Sequence, residues 1–282
     1  MRTRKSWPAG GGMCLLRMNC WPGCSRRRCF PRPPEAAGWG VSMEAGILTM
    51  DITIKGFVES SCSDWPGQVA AVVFLPGCNF RCPYCHNHPL VLNPEECETF
   101  TWEYVSRRLE ALRSWLDGVC VSGGEPTLSP GLAELCGWIK AAGLLCKLDT
   151  NGSRPQVIRE LLAARLVDFI AMDVKAPLRP APYEKCAGVK VDLGAIRESM
   201  ELVRGGGIDY QFRTTYHPAL LSEPELVELV RGFLPGEKFL LQKARTAGAL
   251  SEEFRRLAEV TPQQYQQVTE VVLQHCKKNP SG

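Results

Sequence analysis

Residues 69–88 have the sequence VAAVVFLPGCNFRCPYCHNH, which joins a strand-like run to a cysteine-rich loop. The run Val69–Leu75 is continuously apolar, a pattern that is typical of a buried parallel strand. The loop that follows holds Cys78, Cys82 and Cys85 at the spacing C-x3-C-x2-C. So short a loop brings three thiols to one centre, and α/β proteins place functional groups where their strands end. The segment therefore predicts an α/β fold with a metal centre at the carboxyl edge of the sheet.

Strands and helices alternate along the rest of the chain. The six predicted strands are Val69–Leu75, Val119–Val121, Leu144–Leu148, Val167–Met172, Tyr210–Thr215 and Lys238–Leu241. Segments with a helical period lie between them, at Trp102–Leu116, Leu132–Ala142, Val157–Ala164, Leu193–Val203 and Glu223–Phe233. Because the usual closed barrel needs eight such units, we predict an incomplete (β/α)6 TIM-type barrel. Residues 251–276 are predicted to add extra C-terminal helices, Glu252–Ala258 and Pro262–His275.

The first 49 residues differ from the rest of the 282-residue chain. They carry a net charge of +6 and no regular period, whereas residues 50–282 carry a net charge of −3. We interpret residues 1–49 as a disordered leader or a mis-assigned start, 50–250 as the partial barrel and 251–282 as a helical tail. A metal knuckle or a nucleic-acid arm is the alternative for the leader, whose cysteines lack paired C-x2-C spacing: Cys14, Cys20, Cys24 and Cys29.

Composition narrows the class of protein. No run of about 18 uncharged apolar residues occurs, so no membrane span is predicted. The amino terminus has no apolar stretch of signal-peptide length, so we expect a cytoplasmic protein whose cysteines are metal ligands or buried small residues. The excess of basic residues lies in the first 49 residues, and the rest of the chain has a net negative charge. The charge of the chain therefore gives no reason to expect a nucleic-acid partner. Burial is the default for the cysteines without ligand spacing: Cys62, Cys97, Cys120, Cys136, Cys146, Cys186 and Cys276.

Polar residues follow each of the later strands. The second ends in SGGEPT at 122–127, where two glycines permit close backbone approach to a ligand and Glu125 offers a carboxylate to a cationic amine. The third ends in LDTNG at 148–152, the fourth in MDVK at 172–175 and the fifth in FRTT at 212–215. Because parallel strands end at the same edge of a sheet, we expect these groups to surround the cysteines.

The three cysteines leave two kinds of metal centre open. Three thiolates do not complete a [4Fe-4S] cluster, so one iron would stay free to bind a substrate. Zinc is the alternative, with His86 or His88 as the fourth ligand.

Together these motifs resemble the radical S-adenosylmethionine (radical SAM) superfamily. The C-x3-C-x2-C spacing, with Tyr84 before its last cysteine, is similar to the cluster signature of that superfamily, and GGEP at 123–126 to its second motif. The segments DWPG at 64–67, CHN at 85–87, LDTNG and MDVK resemble those of glycyl-radical enzyme activases. FRTT and the LLQ at 240–242 look most like anaerobic ribonucleoside-triphosphate reductase activating proteins. The resemblance covers residues 52–245.

The resemblance implies a radical SAM oxidoreductase. Cys78, Cys82 and Cys85 would hold one [4Fe-4S] cluster, whose open iron would chelate S-adenosyl-L-methionine (SAM). One electron would cleave SAM into methionine and a 5′-deoxyadenosyl radical, which would take hydrogen from a glycine of a partner glycyl-radical enzyme. That partner would be an anaerobic ribonucleotide reductase.

Roles for the other motif residues follow from the same resemblance. Tyr84 would lie against the adenine, and the SAM amino group would meet the GGEP residues, Gly123, Gly124, Glu125 and Pro126. The DTNG and D-x-K segments, with Asp149, Asn151 and Asp173, would line the SAM site, and the two aspartates would bind a monovalent cation beside the SAM carboxylate. The catalytic candidates are Lys175, facing the reacting centre, and Arg213, pairing with the SAM carboxylate or the partner; a solvated salt bridge is the alternative for both.

One departure from the family bears on the electron donor. Many activases carry an inserted ferredoxin-like segment, but here only Cys97 lies between Cys85 and the helix predicted at Trp102. One cluster is therefore expected, reduced by an external flavodoxin or ferredoxin. Two other functions stay open: radical SAM chemistry on a small molecule or peptide, like that of 7-carboxy-7-deazaguanine synthase, and a zinc-binding module.

Overall fold

A single sheet organises the part of the chain that the computed structural model describes, residues 52–277. Seven strands lie side by side in chain order. They are β1 (Gly56–Ser61), β2 (Ala70–Leu75), β3 (Gly118–Gly123), β4 (Leu145–Thr150), β5 (Phe169–Asp173), β6 (Asp209–Tyr216) and β7 (Phe239–Lys243). Strand β1 pairs antiparallel with β2, and every later neighbour pair is parallel. The leader and its four cysteines lie outside the described residues.

Helices connect the parallel strands, as the sequence pattern predicts. They are α1 (His88–Leu92), α2 (Trp102–Leu112), α3 (Leu132–Ala141), α4 (Pro155–Ala163), α5 (Pro180–Ala187), α6 (Leu193–Gly205), α7 (Glu223–Arg231), α8 (Glu252–Arg255) and α9 (Pro262–Lys277). Single 3-10 turns form at Pro94–Glu96 and Pro126–Leu128. Side chains cap several helix starts: Thr101 accepts from the amide of Tyr104, and Asp192 accepts from the amides of Gly194 and Ala195.

The sheet is open, which confirms the predicted incomplete barrel. Its edges are β1 and β7, and the six predicted strands are confirmed as β2 to β7. The sequence prediction missed β1, α1 and α5. Strand β1 is a half-exposed edge strand without a clean apolar alternation, and α5 contains two prolines that hide its helical pattern. The helix predicted at Glu252–Ala258 is shorter, ending at Arg255.

Each central strand has two unlike faces. The side chains of Cys146 and Leu148 on β4 belong to the main core between sheet and helices. Because successive side chains of a strand alternate, Leu145, Lys147 and Asp149 lie on the opposite face, inside the partial barrel. Part of that interior is apolar, with a small cluster built around the buried ring of Trp65. The carboxyl half of the interior carries charge instead, and this is where the site lies.

Two further expectations concern membrane spans and the end of the chain. Among the described residues, no helix is long and apolar enough to cross a membrane. The two helices predicted after residue 250 are both present, and α9 packs against α7. The division of the chain at residues 49 and 250 into separate units stays a prediction.

Candidate active site

The loop that carries the three cysteines, residues 77–86 and here called the cysteine loop, is held by backbone hydrogen bonds. The amide of Gly77 donates to Leu90 O at 2.8 Å, and the amide of Arg81 donates to Ala187 O at 2.8 Å. Within the loop, the amide of Cys85 donates to Cys82 O at 2.9 Å. The loop is thus tied to α1 on one side and to the end of α5 on the other.

Burial sets the chemistry of the three thiols. Cys82 is buried, whereas Cys78 and Cys85 are half-buried. Desolvation raises the pKa of the Cys78 thiol to about 11 and raises the pKa of the other two, although the nearby cation of Lys175 opposes this. Iron would have to displace these protons, and thiolates are the ligands that iron–sulfur clusters require. Three thiols on one anchored loop therefore fit a cluster with one open iron.

The two glycines at the end of β3 approach the cysteine loop itself. A Cβ built on Gly124 would lie 1.8 Å from the carbonyl oxygen of Gly77, and one on Gly123 would lie 2.2 Å from that of Leu75. The amide of Gly124 donates to Leu75 O at 2.9 Å, and that of Glu125 to Gly77 O at 2.7 Å. The two glycines were expected to let the backbone approach a ligand. In the structure they let the end of β3 approach the backbone of Leu75 and Gly77, which fixes the start of the cysteine loop against β3.

Glu125 is enclosed by donors of its own chain. Its carboxylate is 1% exposed and accepts from the amide and hydroxyl of Thr127, at 3.1 and 2.5 Å. It also accepts from the Thr150 hydroxyl at 2.7 Å and from the Asn151 amide at 2.6 Å. Burial nevertheless raises the pKa of the Glu125 carboxyl. The carboxylate therefore joins the ends of β3 and β4, and its predicted contact with the SAM amino group stays a prediction. Pro126 lies beside it and opens a 3-10 turn.

Asn151 connects the LDTNG segment to the cysteine loop. Its side-chain amide donates to Asn79 Oδ1 at 2.9 Å, and its own Oδ1 accepts from the amide of Ser153 at 2.9 Å. Asn79 in turn donates to the Ser153 hydroxyl at 2.9 Å. Sequence reasoning assigned no role to Asn79. Its position between Cys78 and Cys82 was the one feature of the sequence that could have pointed to a role in this loop.

Five charged side chains meet on the inner face of the sheet. We call them the interior charge group: Lys147, Asp149, Asp173, Lys175 and Arg213. Arg213 bridges the two aspartates, with Nε 2.8 Å from Asp173 Oδ1 and Nη1 3.3 Å from Asp149 Oδ1. Lys175 Nζ lies 2.9 Å from Asp173 Oδ2. Lys147 Nζ lies 2.5 Å from Asp149 Oδ1.

The structure thus brings four predicted residues together and adds a fifth, Lys147. Burial alone would raise the pKa of the Asp173 carboxyl, but Arg213 and Lys175 outweigh it and hold that pKa at about 2. Arg213 and Lys147 likewise keep the pKa of Asp149 below its ordinary value against the effect of burial. Both aspartates are therefore ionised near neutral pH. The signal for Lys147 was a single charge inside an apolar strand, which sequence reasoning did not use.

Tyr84 lies beside this group. Its ring is buried, with Lys175 Nζ 5.8 Å from the ring centroid and the ring of Phe254 at 6.3 Å. Phe254 also packs on the ring of His217 at 4.8 Å. His217 is buried, and its Nε2 lies 3.1 Å from Ala258 O. The contact of Tyr84 with adenine stays a prediction.

The tail reaches over the cysteine loop, which the sequence did not predict. The amide of Ser251 donates to Pro83 O at 3.0 Å, and His86 Nε2 lies 3.2 Å from Arg245 O. Phe254 follows within α8 and completes the cover over Tyr84. The residues after β7 therefore form one wall of the site.

The remaining cysteines divide into two classes. Burial is confirmed for four of them: Cys120, Cys136, Cys146 and Cys186. The expectation is wrong for Cys62, which is exposed in the turn after the edge strand β1, and Cys97 is only half-buried. The side chain of Cys276 lies outside what the structure describes.

The sequence matches one superfamily profile and several known proteins. Residues 72–230 match the sequence profile of the radical SAM superfamily. A candidate glycyl-radical enzyme activating enzyme of Methanocaldococcus jannaschii is 31% identical over 211 residues, 74% of this chain and 86% of that protein. The pyruvate formate-lyase-activating enzyme of Clostridium pasteurianum is 33% identical over 40% of this chain and 48% of its own. The 7-carboxy-7-deazaguanine synthase of Methanopyrus kandleri is 30% identical over 39% of this chain and 51% of its own.

A solved structure shares the fold. The crystal structure of SuiB from Streptococcus suis superposes with a TM-score of 0.57 at 14% identity, over 73% of this chain and 46% of SuiB. At that identity the likeness shows the architecture alone. The chain spans most of the Methanocaldococcus protein but less than half of SuiB and of the Clostridium enzyme.

Proposed function

The chain belongs to the radical SAM superfamily, and we propose that it activates a glycyl-radical enzyme. Enzymes of this superfamily use a [4Fe-4S] cluster and SAM. The observation that carries the proposal is the 31% identity to the Methanocaldococcus protein, which extends over 86% of that protein. The anchored cysteine loop and the charged groups beside it support the same chemistry.

The cysteine loop supplies the cluster ligands, Cys78, Cys82 and Cys85. A reduced [4Fe-4S] cluster held there would supply the electron that splits SAM into methionine and a 5′-deoxyadenosyl radical. The protein's own residues hold the loop in place through Gly124 and exclude water through the tail. This enclosure matters because a radical that escaped into solution would react with the reductant or other solutes before it met the partner.

Opposite charges would orient SAM beside this loop. The interior charge group holds three cations and two carboxylates, so it carries one excess positive charge that suits the SAM carboxylate. Arg213 has the donor geometry for a carboxylate, because its guanidinium presents several N–H groups in a plane. Tyr84 and Phe254 supply an apolar wall for adenine.

The partner that we propose is an anaerobic ribonucleotide reductase. The FRTT segment at 212–215 and the LLQ segment at 240–242 support this choice, and Arg213 of the first belongs to the interior charge group. A flavodoxin or ferredoxin is proposed as the electron donor, since residues 52–277 contain one three-cysteine motif alone.

An anoxic radical assay tests the proposal. The reconstituted full chain would be reduced and incubated with SAM and purified anaerobic ribonucleotide reductase, with pyruvate formate-lyase in a parallel sample. We expect a glycyl radical doublet by electron paramagnetic resonance on the reductase, and none when its radical glycine is changed to alanine. SAM cleavage without a protein radical on either partner would contradict the proposal.

The match to 7-carboxy-7-deazaguanine synthase favours a small-molecule substrate as the second candidate. In that case 5′-deoxyadenosine would form without any protein partner, once a small-molecule extract of the host cell is supplied. Detection of 7-carboxy-7-deazaguanine by mass spectrometry, with no radical on either partner, would support this function.

A further inference from the structure

Lys147 is a buried lysine to which the proposed function assigns no role beyond its charge. It is 2% exposed and lies on the inner face of β4. Its ammonium donates to Asp149 Oδ1 at 2.5 Å and to Asp64 O at 2.8 Å, and it lies 3.5 Å from Cys120 Sγ. Burying a lysine is costly unless its charge is paired, so Asp149 and Lys147 must be considered together.

The carboxylate oxygens of the interior charge group all have donors already. Asp149 Oδ1 faces Lys147 and Arg213, and its Oδ2 accepts from the Ser122 hydroxyl at 3.1 Å. Asp173 Oδ1 faces Arg213, and its Oδ2 faces Lys175 at 2.9 Å. A bound Na⁺ or K⁺ would therefore have to compete with Lys147, Lys175 and Arg213 for every carboxylate oxygen that could ligate it.

Charge balance points the same way. Two carboxylates meet three protein cations, so the group carries one net positive charge before any ion binds. Adding a monovalent cation would bring it to two, in a site of low exposure where like charges repel strongly. The monovalent cation that the sequence resemblance implies beside Asp149 and Asp173 therefore does not fit this chain.

We infer that the Lys147 ammonium takes the place of that cation and positions Asp149, so that this protein binds SAM without Na⁺ or K⁺. The inference rests on the use of SAM by the superfamily and not on the identity of the partner. The Lys147 ammonium also donates to the backbone oxygen of Asp64. Its charge belongs to the chain and, unlike a bound ion, cannot dissociate on dilution. Arg213, which bridges the two aspartates, would then also meet the SAM carboxylate.

Alkali-free buffers test the inference. SAM affinity of the reconstituted, unreduced full chain would be measured by equilibrium dialysis in KCl, NaCl or tetramethylammonium chloride of equal ionic strength. Release of 5′-deoxyadenosine would be measured after photochemical reduction, which adds no alkali ion. The wild-type dissociation constant should agree within about twofold across the three salts, because the Lys147 charge is always present. Wild-type binding that weakens about tenfold in tetramethylammonium would overturn the inference.

Variants of two lysines make the test specific. Lys147→Ala opens space beside Asp149, so its SAM affinity should fall about tenfold in tetramethylammonium and recover in KCl or NaCl. The matched control is Lys140→Ala on α3, which removes another lysine–aspartate pair, 2.5 Å from Asp168 and outside the interior charge group. It should bind SAM equally in all three salts.

A second readout and a second variant separate the role of Lys147 from a general loss of structure. The thermal midpoint of cluster-free Lys147→Ala should rise in KCl or NaCl relative to tetramethylammonium, whereas that of the wild type should not. Lys147→Arg keeps a cation and should stay independent of alkali salts. A folded Lys147→Ala that no alkali ion improves, in SAM affinity or in midpoint, would contradict the inference. None of these measurements involves a glycyl-radical enzyme, so they stand or fall apart from the proposed partner.

Discussion

Gly124 lies against Gly77 so closely that a Cβ on Gly124 would be 1.8 Å from the Gly77 carbonyl oxygen. This contact joins the end of β3 to the first residue of the cysteine loop, where the amide of Glu125 also donates to Gly77 O. The glycine pair of the GGEP motif is therefore part of the support for the metal centre.

Gly124→Ala should destabilise the protein and impair cluster assembly. A methyl group cannot lie so close to a backbone oxygen, so the end of β3 and the loop must move apart. We expect the free energy of unfolding to fall by about 2 kcal/mol. Urea denaturation of the cluster-free protein and iron content after reconstitution would measure the two effects. The control is Gly137→Ala in α3, where the new Cβ would meet its nearest neighbour at 3.7 Å. That change should stabilise the protein by about 0.5–1 kcal/mol.

The buried carboxylate of Glu125 is the second connection at this edge. In Glu125→Gln the side-chain NH2 would have to face a donor, either the Asn151 amide or the groups around Thr127. Two hydrogen-bond donors would then face each other in a buried place without an acceptor. This should lower the free energy of unfolding by about 1–3 kcal/mol. Urea denaturation should detect this loss.

Glu59→Gln serves as its control. Glu59 accepts from Arg108 at 2.7 and 2.8 Å, but both side chains are about 40% exposed. Water can replace that interaction, so the change should cost about 1 kcal/mol or less. An equal loss in the two variants would mean that Glu125 does not join β3 to β4.

Much of the sheet could be predicted because strands such as β2, β3 and β5 are buried on both sides. Runs such as Val69–Leu75 must be apolar to lie between helices and the barrel interior, and all six predicted strands formed. Strand β1 could not be found in the same way, because an edge strand with one exposed face has mixed composition. Helix α5 was missed because Pro180 and Pro182 at its start are helix breakers elsewhere in a helix.

The site was partly predictable for a different reason. Asp149, Asp173 and Arg213 lie in the carboxyl halves of parallel strands, and the topology brings such positions together near one edge of the sheet. Their pairing could not be predicted, since it depends on which way each side chain points. The contact of Phe254 with Tyr84 depends on a tail more than 160 residues away in sequence, and no local pattern announces it.

Cluster ligation can be tested one cysteine at a time. Cys82→Ala should abolish assembly, because the two remaining thiols cannot hold the cluster that normally uses three. The wild type should bind about four iron atoms per chain. Iron and sulfide analysis, with absorbance near 400 nm, measures the outcome after anoxic reconstitution.

Cys97→Ala is the control for this loss. Cys97 is half-buried and close in sequence, but its thiol points to Asn93 O at 3.8 Å. This variant should retain the iron content of the wild type. Zinc at one equivalent in the wild type, with no sulfide, would instead support a mononuclear centre.

Phe254 tests whether the tail takes part in SAM binding. Phe254→Ala removes a ring, 3% exposed, that packs on Tyr84, and should cost about 3 kcal/mol of stability. SAM affinity should fall while iron content stays unchanged, because no cluster ligand is touched. Phe57→Ala, on β1, loses a ring contact with Tyr104 and should leave SAM affinity as it is. Equal SAM affinity in the two variants would mean that the tail takes no part in SAM binding.

Arg213 bridges two carboxylates, and this geometry predicts that lysine cannot replace it. Its Nε and Nη1 reach Asp173 and Asp149 at 2.8 and 3.3 Å, whereas a single ammonium is a point charge. Arg213→Lys keeps the net charge, so a purely electrostatic role would leave SAM binding intact. We expect SAM affinity to fall about tenfold and stability by about 1–2 kcal/mol.

Arg204→Lys separates these two effects. Arg204 makes a comparable fork outside the site, with Nε 2.7 Å and Nη2 3.1 Å from the two oxygens of Glu237. Its replacement should cost a similar amount of stability and leave SAM affinity unchanged. If both variants lost stability equally and neither lost affinity, Arg213 would be a structural bridge, and the SAM carboxylate would have to be bound by Lys175 instead.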